Sequence, residues 1–185
     1  MQLEKFVPRT FNMGFSRSVY DRVGGFREMF SEDIDMSTRI RLAGFSITLF
    51  RPVYVYHKRR VSMRKFWHQV HVFGMSRITL QLLYPGSMKL VHTLPAVFTL
   101  GSVALILLSL FLSWWCILPL AIYLLAVWIT GVISTRSLKI GSIGVLTSLI
   151  QLYGYGSGFI RAYVWKILLR HGRDEAQEVE MRRGK

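Results

Sequence analysis

The chain has 185 residues, 51% of them hydrophobic, and carries 24 basic against 10 acidic side chains for a formal net charge of +14. Its mean hydropathy of +0.33 is high for a soluble domain, and the charge is blocked. Residues 1–89 hold 15 basic and 6 acidic groups, residues 90–135 hold none, and residues 136–185 hold 9 and 4. A basic, then charge-free, then basic order argues against nucleic acid as a partner and for a lipid bilayer. The lone Cys116 excludes an internal disulfide and a cysteine-based metal cluster. The opening MQLEKFVPRT has neither the apolar core nor the cleavage site of a signal peptide.

Residues 1–60 alternate short extended and helical signals. Phe6–Phe15 has strand-like alternation around Asn12 and Gly14. Ser16 is placed to cap a short helix, Arg17–Val23, that stops at Gly24-Gly25, and Ser31 to cap a second, Glu32–Ala43, with Gly44 just past its end. Phe45–Phe50 and Val53–Tyr56 read as strands rich in β-branched and aromatic residues, parted by Arg51-Pro52. A long helix runs from Ser62 toward Leu83 and ends at Pro85-Gly86. Met63, Phe66, Trp67, Val70, Phe73 and Ile78 form its expected apolar side, and the helix suits a membrane interface.

The 46 uncharged residues between Lys89 and Arg136 fit two spans of about 20 residues and a tight hairpin, placed at Leu94–Leu112 and Trp115–Ile133. Pro95 falls in a first turn, where a missing N–H costs little, and Pro119 within the first turns of the next helix. Basic residues on both sides of the hairpin place both flanks in the cytoplasm. Ile140–Ile160 is uncharged and long enough to cross, but it carries five glycines and Gln151. If it crossed, Arg161, Lys166, Arg170 and Arg173 would lie outside, against the positive-inside trend. The alternative, slightly favoured, is a re-entrant or surface-lying segment. It would lead into an amphipathic helix with Phe159, Tyr163, Ile167 and Leu168 on its apolar side. The tail from Asp174 to Lys185 is polar.

Three carboxylates, Glu32, Asp33 and Asp35, crowd the first turn of the second helix. Acidic groups there suit the positive end of a helix dipole. One of them facing a cleft would be a candidate proton acceptor for a hydroxyl. His57 sits at a strand end beside Lys58, Arg59 and Arg60, a basic trio suited to anionic headgroups.

In order, FNMGFSRSVYDRVGGF (11–26), SEDIDMSTRIRLAGF (31–45), PVYVYHKRR (52–60) and the KFWHQVHVFGMSR helix (65–77) resemble the C-terminal half of a family 2 glycosyltransferase of GT-A fold. The resemblance covers about 70 residues, and its membrane tail agrees with it. It implies an α/β fragment, the C-terminal part of a GT-A domain, followed by a helical transmembrane region. The expected divisions are 1–61 for that fragment, 62–89 for an interface helix and linker, and 90–135 for the transmembrane hairpin. A third membrane-associated segment with its amphipathic helix takes 136–172, and a polar tail takes 173–185.

The resemblance also implies roles. Asn12, Met13 and Gly14 match a loop beside donor and acceptor, and Gly24-Gly25-Phe26 the turn ahead of the acidic motif. Glu32-Asp33 matches the Glu-Asp pair, with Asp33 as catalytic base and Glu32 orienting the acceptor. His57 matches a histidine that helps hold a divalent metal, Mg2+ or Mn2+. The implied reaction transfers a sugar from a nucleotide-sugar donor to a hydroxyl of a glycan or lipid-linked acceptor, with inversion, in polysaccharide or glycolipid synthesis. It would occur at the cytoplasmic (inner) membrane, with the polar N-terminal part facing the cytoplasm. Gln69-Val70-His71-Val72-Phe73 departs from the Gln-x-x-Arg-Trp motif of processive members, so one sugar per encounter is expected. The nucleotide-binding half and its Asp-x-Asp motif are not found ahead of Glu32, so the chain reads as a fragment, with a non-enzymatic membrane protein or inactive relic as the alternative.

Overall fold

Ser16 opens the first helix as its sequence suggests: the Ser16 hydroxyl accepts the Val19 N–H at 3.4 Å, and α1 runs Arg17–Val23. Gly24 ends it at φ +75°, with its N–H on the Tyr20 carbonyl at 2.7 Å. That left-handed backbone is one that glycine adopts without a Cβ clash. The chain divides into two compact units, Met1–Arg59 and Arg60–Lys185. The computed structural model describes residues 6–58 and 62–169; the predicted polar tail, Arg59, Arg60, Arg170 and Arg173 lie outside them.

In the N-terminal unit the second helix, α2, spans Glu32–Leu42. Ser31 does not cap it with its side chain: its backbone is left-handed, φ 64°, and its carbonyl takes the N–H groups of Ile34 and Asp35. At the other end Gly44, φ +86°, completes a Schellman turn, with Gly44 N–H on the Arg41 carbonyl and Phe45 N–H on the Ile40 carbonyl. Val19, Met36 and Ile40 are buried together, and Met13, Phe15, Val23, Phe45 and Ile47 pack on them. At roughly 1.5–3 kcal/mol per fully buried apolar side chain, that is a small core.

The expected α/β fragment is not what forms. Among the described residues there is no β-strand, and the chain is helical with extended connections. Phe6–Phe15 holds a short 3-10 turn, Thr10–Asn12, instead of a strand. Phe45–Phe50 keeps the two-residue alternation, with 45, 47 and 49 partly buried and 46, 48 and 50 exposed, yet has no ladder partner. Alternation only requires one side to rest on the helices, as Phe45 and Ile47 do, whereas a strand also requires a neighbouring backbone to bond. Val53–Tyr56 is likewise extended and unpaired in a ladder, after a turn closed by Val53 N–H on the Phe50 carbonyl at 3.1 Å.

The second unit contains α3 (Met63–Leu83), α4 (Leu94–Phe111), α5 (Leu118–Thr135) and α6 (Leu138–Ala162), with a π-helical extension Tyr163–Leu168. Pro95 and Pro119 both lie in first turns, where no intrahelical bond is lost. Among the described residues three helices are long and apolar enough to cross a membrane: Leu94–Phe111, Trp114–Thr135 and Leu138–Leu168. The third is one unbroken helix as far as Ala162, so the five glycines do not fold it back.

Those glycines do something else. α6 is the helix on which α3, α4 and α5 all pack. A Cβ on Gly154 would meet Val70 Cγ2 at 2.5 Å, and one on Gly158 would overlap the main chain of His71. One on Gly156 would overlap Thr99 and Pro95 of α4, and one on Gly131 of α5 would fall 3.2 Å from the Gly141 Cα. Small residues let backbones approach where no hydrophobic force separates helix from lipid. The buried positions of α3 are Val70, Val72, Gly74, Ser76, Ile78 and Leu80, while Met63, Trp67 and Phe73 of the predicted apolar side are about 40% exposed. The contacts Gly154 with Val70, Ser157 with His71 and Lys166 with Thr79 advance together, so α3 runs parallel to the C-terminal half of α6.

Candidate functional site

α2 places its three carboxylates in three different surroundings. Asp35 is fully buried and held by two arginines: Arg27 Nη1 on Oδ1 at 3.0 Å and Arg39 Nε on Oδ2 at 2.9 Å. Arg39 continues to the Val23 carbonyl at 2.5 Å and the Gly25 carbonyl at 2.8 Å. This carboxylate therefore braces the end of α1 and the Gly24-Gly25 turn against α2. With both carboxylate oxygens accepting from arginines and no opening to solvent, Asp35 is a structural group.

Asp33 and Glu32 are instead reached from one short strap, Arg9–Thr10–Phe11. Arg9 Nη1 donates to Asp33 Oδ2 at 3.0 Å, and the Ile34 N–H donates to Asp33 Oδ1 at 2.8 Å. Thr10 Oγ1 donates to Glu32 Oε1 at 2.8 Å. The Phe11 ring stacks on the His57 imidazole, with centroids 4.3 Å apart and planes 6° from parallel. Three consecutive residues thus gather the three side chains singled out for chemistry, from positions 32, 33 and 57. Asp33 is 7% exposed while the Arg9 side chain that covers it is 61% exposed.

The remaining candidate residues separate. Asn12 closes the 3-10 turn and is exposed, its N–H on the Arg9 carbonyl at 2.8 Å. Met13 packs into the small core, so its side chain faces inward. Gly14 is exposed with no atom within 4 Å of a Cβ built on it. Gly24 serves the turn by its positive φ, and Gly25 serves it through the carbonyl held by Arg39.

The residues that sequence reasoning passed over are Arg9, Thr10, Phe11, Arg27 and Arg39. Arg39 was within reach, since Asp35 lies four residues before it on the same helical face. Arg9 and Thr10 carried no local signal, because they meet their partners across 24 and 22 residues.

A divalent ion needs several oxygen or nitrogen donors converging on one point. Among the described residues no three His, Cys, Asp or Glu side chains do so. His57 lies flat on Phe11 and Asp33 is engaged by Arg9. This donor set does not fit the Mg2+ or Mn2+ expected from the resemblance. Comparison with known proteins finds no family model, no curated protein and no solved structure that matches the chain.

Proposed function

We propose that the chain works in inverting glycosyl transfer at a membrane, moving one sugar per encounter from a nucleotide-sugar donor to a hydroxyl of a glycan or lipid-linked acceptor. The observation that carries this reading is the meeting of Asp33, Glu32 and His57 on the Arg9–Phe11 strap, joined to the ordered resemblance of residues 11–77. Three candidate spans in the same chain support a membrane-delivered acceptor. Basic groups ahead of the first span, Arg64, Lys65, Arg77 and Lys89, favour the cytoplasmic side for the N-terminal unit.

In this reading the acceptor hydroxyl displaces Arg9 from Asp33 Oδ2 and gives its proton to that oxygen as it attacks the anomeric carbon. The bond to the nucleoside diphosphate breaks on the opposite face. The Ile34 N–H stays on Oδ1 and fixes the carboxylate's plane throughout. Glu32, with Thr10 holding one oxygen, offers the other to a neighbouring acceptor hydroxyl. His57 and Phe11 together present a flat aromatic surface on which an apolar sugar face can rest.

The test is Asp33→Asn in the source cell, with transfer of labelled sugar to membrane acceptors measured beside the chain's own abundance. Loss of transfer at unchanged abundance supports the base assignment. Unchanged transfer sinks it and favours the second reading, a non-enzymatic membrane protein. In that case the carboxylates of α2 only tie the unit together, as Asp35 does.

A further inference from the structure

Gln151 carries the only side-chain amide between Lys139 and Arg161. It lies within two residues of the midpoint of the candidate span Leu138–Leu168, so in a bilayer that helix carries it into the hydrocarbon core. Its side chain is exposed on the helix surface, and among the described residues no hydrogen bond to it is found. Neighbouring hydroxyls are engaged: Thr147 Oγ1 donates to the Ile143 carbonyl at 3.0 Å and Ser157 Oγ to the Gly154 carbonyl at 3.0 Å. The Tyr123 hydroxyl and Ser148 Oγ lie 3.3 Å apart. An amide facing lipid without a partner is costly, so a polar group from outside these residues has to meet it there.

The face that carries it continues one already in use. Gln151 precedes Gly154 by three residues and Gly158 by seven, so it shares the side of α6 on which those glycines seat α3. α3 meets Gly154 at Trp67, one turn from its start at Met63, and runs from there toward the C-terminal end of α6. Toward the N-terminal end the same side stays open. Thr147 and Gly144 lie four and seven residues before Gln151, and a Cβ on Gly144 would meet nothing within 4 Å. Another helix can come close beside Gly144 and bring a polar group level with Gln151.

The amide itself selects the partner. A carboxamide both donates and accepts, so two glutamines at equal depth satisfy one another with a pair of N–H···O=C bonds. Two copies of this chain inserted in the same orientation hold Gln151 at equal depth. A two-fold axis along the membrane normal then turns the same face of each toward the other.

We propose that the chain pairs with a second copy of itself along α6, with Gln151 of one protomer bonded to Gln151 of its partner. Thr147 lies one turn away in the contact, and Gly144 gives the room for close approach. The pairing rests on α6 crossing the membrane, independently of any glycosyl transfer.

The test uses the full chain, expressed with two different tags in one cell and oxidised in its membranes, with Cys116→Ser as background. Thr147→Cys is expected to give a disulfide-linked species carrying both tags. Leu146→Cys, turned about 140° from Gln151, is expected to give none. Adding Gln151→Leu to Thr147→Cys should cut the cross-link about tenfold at unchanged abundance, since the replaced side chain is exposed. Reaction of Gln151→Cys with a water-soluble maleimide in permeabilised membranes overturns the crossing and the pairing together. A cross-linked species carrying one tag only overturns the second copy in favour of another membrane protein's helix. No cross-link at Thr147→Cys, or an undiminished one with Gln151→Leu, overturns the pairing through the amide.

Discussion

Gly158 of α6 lies against the main chain of His71 on α3: a Cβ built on the glycine would fall 2.8 Å from the His71 carbonyl carbon and overlap its oxygen. Gly74 faces the reverse way, its Cβ position 2.8 Å from the Phe159 nitrogen. The two helices are thus fitted by reciprocal absences of side chain.

Gly158→Leu is therefore expected to force the pair apart. The cost of such overpacking is about 1–3 kcal/mol or more, because the obstacle is backbone and has no rotamer to change. Gly144, with nothing within 4 Å of its Cβ position, is the control. Gly144→Ala is expected to be neutral or to stabilise by about 0.5–1 kcal/mol. Thermal melting of the detergent-solubilised chain, scored for both variants, checks the difference.

Asp35→Asn is expected to destabilise the N-terminal unit by about 3–5 kcal/mol, since it leaves two arginines in a buried site without their charge partner. Both guanidinium groups are largely enclosed, with side-chain exposures of 20% for Arg27 and 7% for Arg39. Hydrogen exchange over residues 17–42 should show α1 and α2 losing protection together. Unchanged protection would mean that the small apolar core holds the helices alone.

Arg9→Gln should behave differently. The Arg9 end of its pair with Asp33 is open to solvent, so the pair contributes about 0–1 kcal/mol and the melting profile is expected to stay nearly unchanged. If Asp33 accepts a proton from an acceptor hydroxyl, removing its competitor raises the rate of transfer. A fall in transfer as deep as that of Asp33→Asn would assign Arg9 to substrate binding instead.

Much of this was written locally. Ser16, Gly24, Gly44 and Pro95 each act within four or five residues, and the helix ends they mark fall within a residue of the expected ones. α5, by contrast, begins at Leu118, three residues after the expected Trp115. The strap was not legible, because nothing near Arg9 or Thr10 marks a partner more than 20 residues away. The packing face of α3 coincides only in part with its apolar side: Val70 and Ile78 are buried, and Trp67 and Phe73 are not. Hydrophobicity ranks Trp67 and Phe73 above Gly74 and Ser76, but close approach to a glycine-lined helix selects for size. Ser76 fits there with its hydroxyl on the Phe73 carbonyl at 3.0 Å. The strand expectation failed because alternation is a property of one segment and a ladder is a property of two.

Acid should loosen the helical unit. Burial chiefly, then the Arg161 guanidinium and then His68, hold the His71 imidazole below its ordinary 6.5, against a raising contribution from the Gly154 backbone. The folded state thus resists a proton that the unfolded chain accepts, so stability rises with pH across that window. The melting temperature is expected to be level above about pH 7 and to fall as pH drops below about 6.5. His71→Gln should lessen the slope, and an unchanged slope would place the sensitivity at another group, His92 being the next candidate.

The parallel pairing of α3 with α6 also has a consequence in time. Thr79 and its partner Lys166 are 87 residues apart in the chain. At a synthesis rate of about 5–20 residues per second, α3 leaves the ribosome roughly 4–17 s before the surface it fits has been made. During that interval Gly74 and Ser76 have nothing to lie against. The nascent chain must then hold a finished helix in waiting, a natural point for a chaperone or insertase to engage it.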